Sequence, residues 1–318
     1  MKRPCFRLDF GYDSFMAWLA LSAIVLTGFA MNGITEESEE SPEARRCMDV
    51  AQRLRPLAKK LDEPKPGDWL DVHDEPGQTF RQYLSPKPVT ARGQRKVIYI
   101  QPLGEFTPAE QAILDATADF LGRFFQLPVK IRDGWPESIV PDEARRRHPD
   151  WGGEQILTGY VLHDLLKPEL PEDAAAVLAL TTTDLWPGEG WNFVFGEASI
   201  RERVGVWSIK RYGDPSAGKA AFRKCLLRTI QTASHETGHM LSMLHCTAYQ
   251  CNMCGSNSLE ESDRRPLPLC PECLAKLCWA TGFDPVKRYR QLAEFCEKHG
   301  LSDSQAFYER AIEALTRQ

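Results

Sequence analysis

No basic excess runs through this chain. Its 39 lysines and arginines are outnumbered by 44 acidic residues, for a formal charge of -5 and a pI near 5.9. With no surplus of cations to release counterions, a nucleic acid is excluded as the main partner. No internal repeat is visible, which sets solenoids and arrays aside, and low complexity is confined to an acidic patch at residues 36–43. Nor are the ten cysteines spread as a disulfide framework would spread them. Cys5, Cys47, Cys225, Cys278 and Cys296 are scattered, whereas Cys246, Cys251, Cys254, Cys270 and Cys273 crowd together. A chain of 318 residues can bury a core without staples, so local crowding of thiols points to a metal.

Long hydrophobic runs are missing too, with one exception. Residues 14–35 are uncharged, preceded by Lys2, Arg3 and Arg7 and followed by acidic residues. The run is long enough to cross a bilayer, and Gly28 and Ala30 offer a cleavage site. Residues 1–40 are therefore read as a signal or anchor followed by the acidic patch, implying export or membrane attachment. The alternative is translation from Met31 or Met48 and a cytoplasmic protein. Thiolate ligands favour a reducing compartment, so the two signals oppose each other. Membrane contact is expected only through this segment, and oligomeric state is not legible.

The rest patterns as one α/β or α+β domain with appendages. From Ser41 and Pro42, the spacing of Met48, Ala51, Leu54, Leu57 and Leu61 predicts an amphipathic helix. The Pro-, Gly- and charge-rich stretch after it reads as a linker or surface loop, so residues 41–95 form a helix and linker ahead of the domain. KVIYIQPL is a buried strand; Thr107 with Glu110 is a capping-box start; PVKIR and AAVLALTT are further strands. ILTGYVLHDLL reads as a helix and Arg145 to Arg147 as a solvated charge run. WNFVFGEAS and RVGVWSIKRY form a hairpin. A long helix from Ser216 ends in HETGHMLSML. Residues 284–318 read as two covering helices, capped at Asp284 and at Ser302 or Asp303.

The chemistry concentrates at the end of that long helix. His235 and His239 are four residues apart, about 400 degrees of rotation and about 6 Å of rise, so both imidazoles can reach one ion. Glu236 is turned about 100 degrees from His235, bordering the ion without ligating it, where a general base can take a proton from zinc-activated water. His245 would lie about 15 Å from His235 in a straight helix and joins the site only if the chain turns back near Ser242. Met253 follows where a tight turn could set its thioether beneath the ligands. For the cysteines, spacing alone pairs Cys251 and Cys254 with Cys270 and Cys273 and leaves Cys246 free.

The pattern HExxHxxxxxH followed by a methionine turn resembles the metzincin zinc peptidases. The continuation HCTAYQCNM with a later CPEC is similar to one branch of them, the archaemetzincins. GSNSLEESDRRPLPLCPECLAKL, IYIQPLG near Ile98 and TTTDLWPGEGWNFVFGEAS also resemble that family, and the likeness runs over roughly residues 96–283. It implies a metzincin-like zincin domain there, with a mixed, mostly parallel sheet, a backing helix, an active-site helix and a small zinc-bound C-terminal subdomain. It implies a zinc metallopeptidase carrying two zinc ions per chain. His235, His239 and His245 would hold the catalytic ion, Glu236 would be the base, and Met253 the Met-turn. The structural ion would fall to Cys246, Cys251, Cys270 and Cys273, with Cys254 an extra thiol. One departure is Ser242, where the family usually has glycine.

Peptides or proteins are the expected substrates, docked on the hairpin of residues 191–212 as an edge strand. Some members of the family act on N-terminal residues, and Asp184, Glu189 or Glu197 could hold a substrate ammonium here. Tyr249 is a candidate for oxyanion stabilisation. The rival readings are a non-catalytic zinc-stabilised binding protein, which would not need Glu236, and a thiol-regulated protein, whose thiols bound zinc would occupy.

Overall fold

The structure, a computed structural model, describes residues 3–8 and 41–317. The hydrophobic run 14–35 and most of the acidic patch lie outside them. Among the described residues no helix is long and apolar enough to cross a membrane.

The first strand, β1 (Arg3–Leu8), runs beside the later hairpin. Helix α1 (Pro42–Leu54) starts where Ser41 accepts the Ala44 N–H. Then come two short helices, α2 (Trp69–Val72) and α3 (Phe80–Leu84). The expected strand is β2 (Val97–Leu103), and α4 (Pro108–Phe125) opens on the Thr107–Glu110 capping box. Strands β3 (Val129–Ile131), β4 (Arg145–Arg147) and β5 (Glu154–Leu157) follow. A one-turn helix, α5 (Thr158–Tyr160), continues as a π-helix over Val161–Leu166. Next are β6 (Ala174–Thr181), β7 (Asp184–Trp186), β8 (Trp191–Ala198) and β9 (Val204–Ser208). The long helix is α6 (Lys219–Met240), and α7 (Leu259–Asp263), α8 (Pro271–Thr281), α9 (Pro285–His299) and α10 (Ser302–Thr316) complete the chain.

The sheet has the order β3-β2-β6-β9-β8-β7-β5-β4. It is parallel from β3 through β9 and between β5 and β7, with antiparallel joins where β8 meets β9 and β7 and where β4 meets β5. Both faces are covered, which is why β6 reads as an unbroken apolar run. Ala176, Leu178 and Leu180 of β6 point into one core with α4 and α6, while Val177 and Ala179 point into a second with the π-helix. Helix α6 lies across β8 and β9 beside α4, buried over nearly its whole C-terminal half. Three of its hydroxyls are satisfied within the helix, Thr229, Ser234 and Thr237 each donating to the carbonyl four residues earlier, and Thr232 shares a bond with the Tyr212 hydroxyl. So polar residues can line a helix inside the protein.

Four readings change. The stretch read as linker is packed: Trp69, Phe80 and Tyr83 are buried. Arg145 to Arg147 are strand β4, and their charges are spent locally. Arg145 pairs with Glu137, Arg146 donates to the carbonyls of Trp191 and Asn192, and Arg147 meets Glu154. ILTGYVLHDLL is helical from Thr158 onward, as α5 and the π-helix, but Ile156 and Leu157 belong to β5. Finally, α10 starts after Leu301, with no side-chain cap from Ser302 or Asp303, because the Leu301 N–H closes back on the Cys296 carbonyl at the end of α9.

Candidate active site

Helix α6 ends as the motif requires. The Leu241 N–H still reaches the Gly238 carbonyl, the Ser242 N–H bonds to the His239 carbonyl, and Ser242 takes φ 65°. The left-handed residue expected to be glycine is thus a serine, held by its hydroxyl. Ser242 Oγ accepts the Val89 N–H at 3.0 Å and donates to the Ile200 carbonyl at 3.3 Å. The reversed chain brings His245 back to His235 and His239. Ring centroids are 4.5, 5.3 and 5.0 Å apart, and one ligand atom from each lies within 4.8 Å of the others.

The donor set fits a cation. His235 Nδ1 faces the Asn252 carbonyl at 2.8 Å, and His239 Nδ1 faces the Met243 carbonyl at 2.6 Å. His245 Nδ1 faces both carboxylate oxygens of Glu75, at 2.9 and 3.1 Å. These partners only accept, so each Nδ1 carries the proton and each Nε2 turns a lone pair inward. His235 Nε2 and His239 Nε2 stand 2.9 Å apart, an arrangement that a shared cation relieves. His245 Nε2 is buried with no hydrogen-bond partner among the described residues. Burial first, and the His245 charge second, pushes His235 down to about 3. Burial, then the neighbouring histidines, drives His239 well below its ordinary value. Both shifts hold His235 and His239 as neutral ligands.

Glu236 stands beside them. Its Oε1 is buried without a hydrogen-bond partner among the described residues, and burial, with the Glu197 charge adding, raises its carboxyl well above the usual range. Strand β8 passes so close that a Cβ at Gly196 would meet Glu236 Oε1 at 2.8 Å. Only glycine leaves room, the close approach that a glycine inside a strand marks. Met253 presses on α6 at Gly238, where a Cβ would meet its sulfur at 2.6 Å. Asn252 fixes the same loop by donating to Ser234 Oγ at 2.9 Å.

The second cluster begins one residue past His245. The sulfurs of Cys246, Cys251, Cys270 and Cys273 lie within 4.8 Å of one another, all buried. Cys246 Sγ and Cys270 Sγ are 3.7 Å apart, close to the roughly 3.8 Å that tetrahedral bonds of about 2.3 Å to one zinc would give. Backbone N–H groups of Met253, Cys270 and Cys273 donate to sulfurs of the set. Cys254 lies against Cys246 but outside the set of four. Its thiol donates to the Tyr249 carbonyl at 3.2 Å, and the Cys246 interaction, then burial, raises it well above its ordinary value.

The other expected residues are engaged elsewhere, although the charge of Glu197 reaches Glu236. Asp184 is held by Arg211 through two bonds of 2.7 Å and by Gln155; Glu197 accepts the Thr158 hydroxyl, and Glu189 is exposed. Tyr249 belongs to the cysteine loop, bridging to Lys60. Sequence reasoning missed Trp69, Glu75 and Gln78, which carry no motif, and Gly196, whose place inside a strand was the available signal.

Against this geometry, the comparisons decide the family. Archaemetzincin-2 of Rattus norvegicus is 34% identical over 303 residues, 85% of this chain and 83% of its own. The Homo sapiens protein is 36% identical over 292 residues, 82% and 81% of the two chains. The chain belongs to the archaemetzincins. A family model described as peptidase family M54 matches residues 166–278 of it. Among solved structures, the archaemetzincin of Archaeoglobus fulgidus, complexed with malonate, is 28% identical, with a TM-score of 0.46, covering 57% of this chain and 99% of its own. That of Methanopyrus kandleri is 26% identical, with a TM-score of 0.49, covering 60% and 98%. This archaemetzincin is a zinc metallopeptidase, its mixed α/β fold is the expected one, and peptides or proteins are its substrates.

Proposed function

We propose that this archaemetzincin cleaves peptide bonds at a zinc ion held by His235, His239 and His245, with Glu236 as general base. A second, structural zinc is held by Cys246, Cys251, Cys270 and Cys273. The observation that carries the reading is the convergence of three histidines whose Nδ1 atoms are all engaged by acceptors. Zinc bound there supplies Lewis acidity, drawing charge from the scissile carbonyl and acidifying water. Glu236, with Oε1 unclaimed by any donor among the described residues, takes the proton of the attacking water and returns it to the leaving amine. A closed set of four thiolates leaves no position for substrate, so the second ion fastens the loop carrying Met253 to α8. Glu236→Gln keeps the shape and removes the base; kcat is expected to fall by about 10²–10⁴-fold with KM little changed, and a wild-type kcat would refute the assignment.

For action at substrate N-termini, Asp184 is already neutralised by Arg211. Cleavage of one peptide with its terminus free and acetylated separates the modes: equal rates exclude an aminopeptidase.

A further inference from the structure

We propose that Glu75 is a positioning residue for the third histidine, and that residues 69–83, patterned as a linker, are a working part of the catalytic centre. The inference rests on the reading of the three histidines as zinc ligands. His235 and His239 give their Nδ1 protons to neutral carbonyls on the loop just beyond α6. His245 differs. Its Nδ1 meets a carboxylate that is 170 residues distant in sequence, with both oxygens within 3.1 Å. An anionic acceptor makes the stronger bond, fixes which nitrogen is protonated and makes the opposite nitrogen a better donor to a metal. That opposite nitrogen, His245 Nε2, is the buried one with no other partner.

The segment is built to hold Glu75 there. The Trp69 ring meets His245 edge-on at 5.1 Å and lies over Gly255, where a Cβ would come within 2.6 Å of the indole. The Trp69 N–H is taken by the buried carboxylate of Glu261. Gln78 grips the turn ahead of the ligand, donating to the Ser242 carbonyl at 3.3 Å and accepting the Leu244 N–H at 3.1 Å. Tyr83 donates to the Leu241 carbonyl at 2.9 Å. Lys276 of α8 donates to the Gln78 carbonyl and Glu272 of α8 accepts the Phe80 N–H. The segment therefore touches every residue from Leu241 to His245 except Met243, and is tied to the helix that carries Cys270 and Cys273. Its role is to aim His245, because His245 is the only one of the three ligands outside α6.

The test is zinc affinity by chelator competition on the full chain, comparing wild type, Glu75→Gln and Glu75→Ala, with metal-free melting measured alongside. Glu75→Gln keeps size and an acceptor but loses the charge. It is expected to melt like wild type without metal and to hold histidine-site zinc about 10-fold more weakly, and Glu75→Ala up to about 100-fold. Zinc at the cysteine site should bind as in wild type. Asp284→Ala, which removes the side-chain cap of α9 and no bond of this segment, is the control for mere destabilisation: it should lower the metal-free melting temperature and leave histidine-site affinity alone. Unchanged affinity in folded Glu75→Gln and Glu75→Ala would overturn the assignment while leaving the ligand reading intact. Wild-type zinc that is insensitive to His239→Ala would overturn both.

Discussion

Ser242 is where the site's geometry can be tested by a small change, because glycine and alanine separate two effects that serine combines. At φ 65° a side chain costs about 1–2 kcal/mol that glycine does not pay. Glycine surrenders about 0.5–1 kcal/mol of that gain through its freer unfolded chain. The serine hydroxyl makes two bonds, from the Val89 N–H and to the Ile200 carbonyl, together about 2 kcal/mol, since each hydrogen bond contributes about 1 kcal/mol. Ser242→Gly therefore loses about 2 kcal/mol and recovers roughly half, for a net loss of about 1 kcal/mol. Ser242→Ala loses the same bonds and recovers nothing, so it falls by about 2 kcal/mol. Urea titration of the three zinc-loaded proteins at equal free zinc measures the differences. The expected order of stability is wild type, then glycine, then alanine. A glycine variant more stable than wild type would show that the hydroxyl bonds contribute nothing, and that the serine is held only by the surrounding fold.

Three further outcomes follow from the same contacts. Gly196→Ala puts a methyl 2.8 Å from Glu236 Oε1 and must displace the carboxylate; peptidase kcat should drop about 10–100-fold with zinc content unchanged, and a wild-type kcat would count against Glu236 as the base. In the metal-free protein, the unfolded chain protonates His235 and His239 below about pH 6.5 while the folded chain refuses, His235 down to about 3. Glu236, raised by burial, acts oppositely, taking a proton when folded that the unfolded chain takes only below about 4.5. Two histidines outweigh one carboxyl, so stability should fall as pH drops below about 6.5; denaturant midpoints against pH read the slope, and stability rising with acid would contradict it. Cys270→Ala should weaken zinc at the histidines as well as at the thiols, because Cys246 is bonded through its N–H to the Met253 carbonyl and adjoins His245; histidine-site affinity equal to wild type would show that the two centres are independent.

The histidine and cysteine patterns were legible because their ligands are local: two turns of one helix, one reversal, and a CxxC at a helix start. Buried strands such as β6 were legible because burial on both faces demands an apolar run. The segment at residues 69–83 was not, since its order comes from single side-chain bonds to distant partners. Glu75 to His245, Gln78 to Ser242 and Leu244, and Tyr83 to Leu241 leave no period in the sequence. The same holds for Arg145 to Arg147, where each guanidinium finds a carbonyl or carboxylate that composition cannot name. Ser242 was legible as a departure but not as a solution, because its partners Val89 and Ile200 come from elsewhere in the chain.

The central claim is that one chain holds an open histidine centre that does chemistry beside a closed thiolate centre that does not. Zinc per chain in purified wild type, His239→Ala and Cys273→Ala, with peptide hydrolysis measured on the same samples, tests it most directly. Two zinc ions are expected in wild type, and in His239→Ala one zinc and no hydrolysis. In Cys273→Ala fewer than two are expected, with hydrolysis falling in step with zinc at the histidines. One zinc or none in wild type, or a His239→Ala protein that keeps both ions and its activity, would contradict that claim.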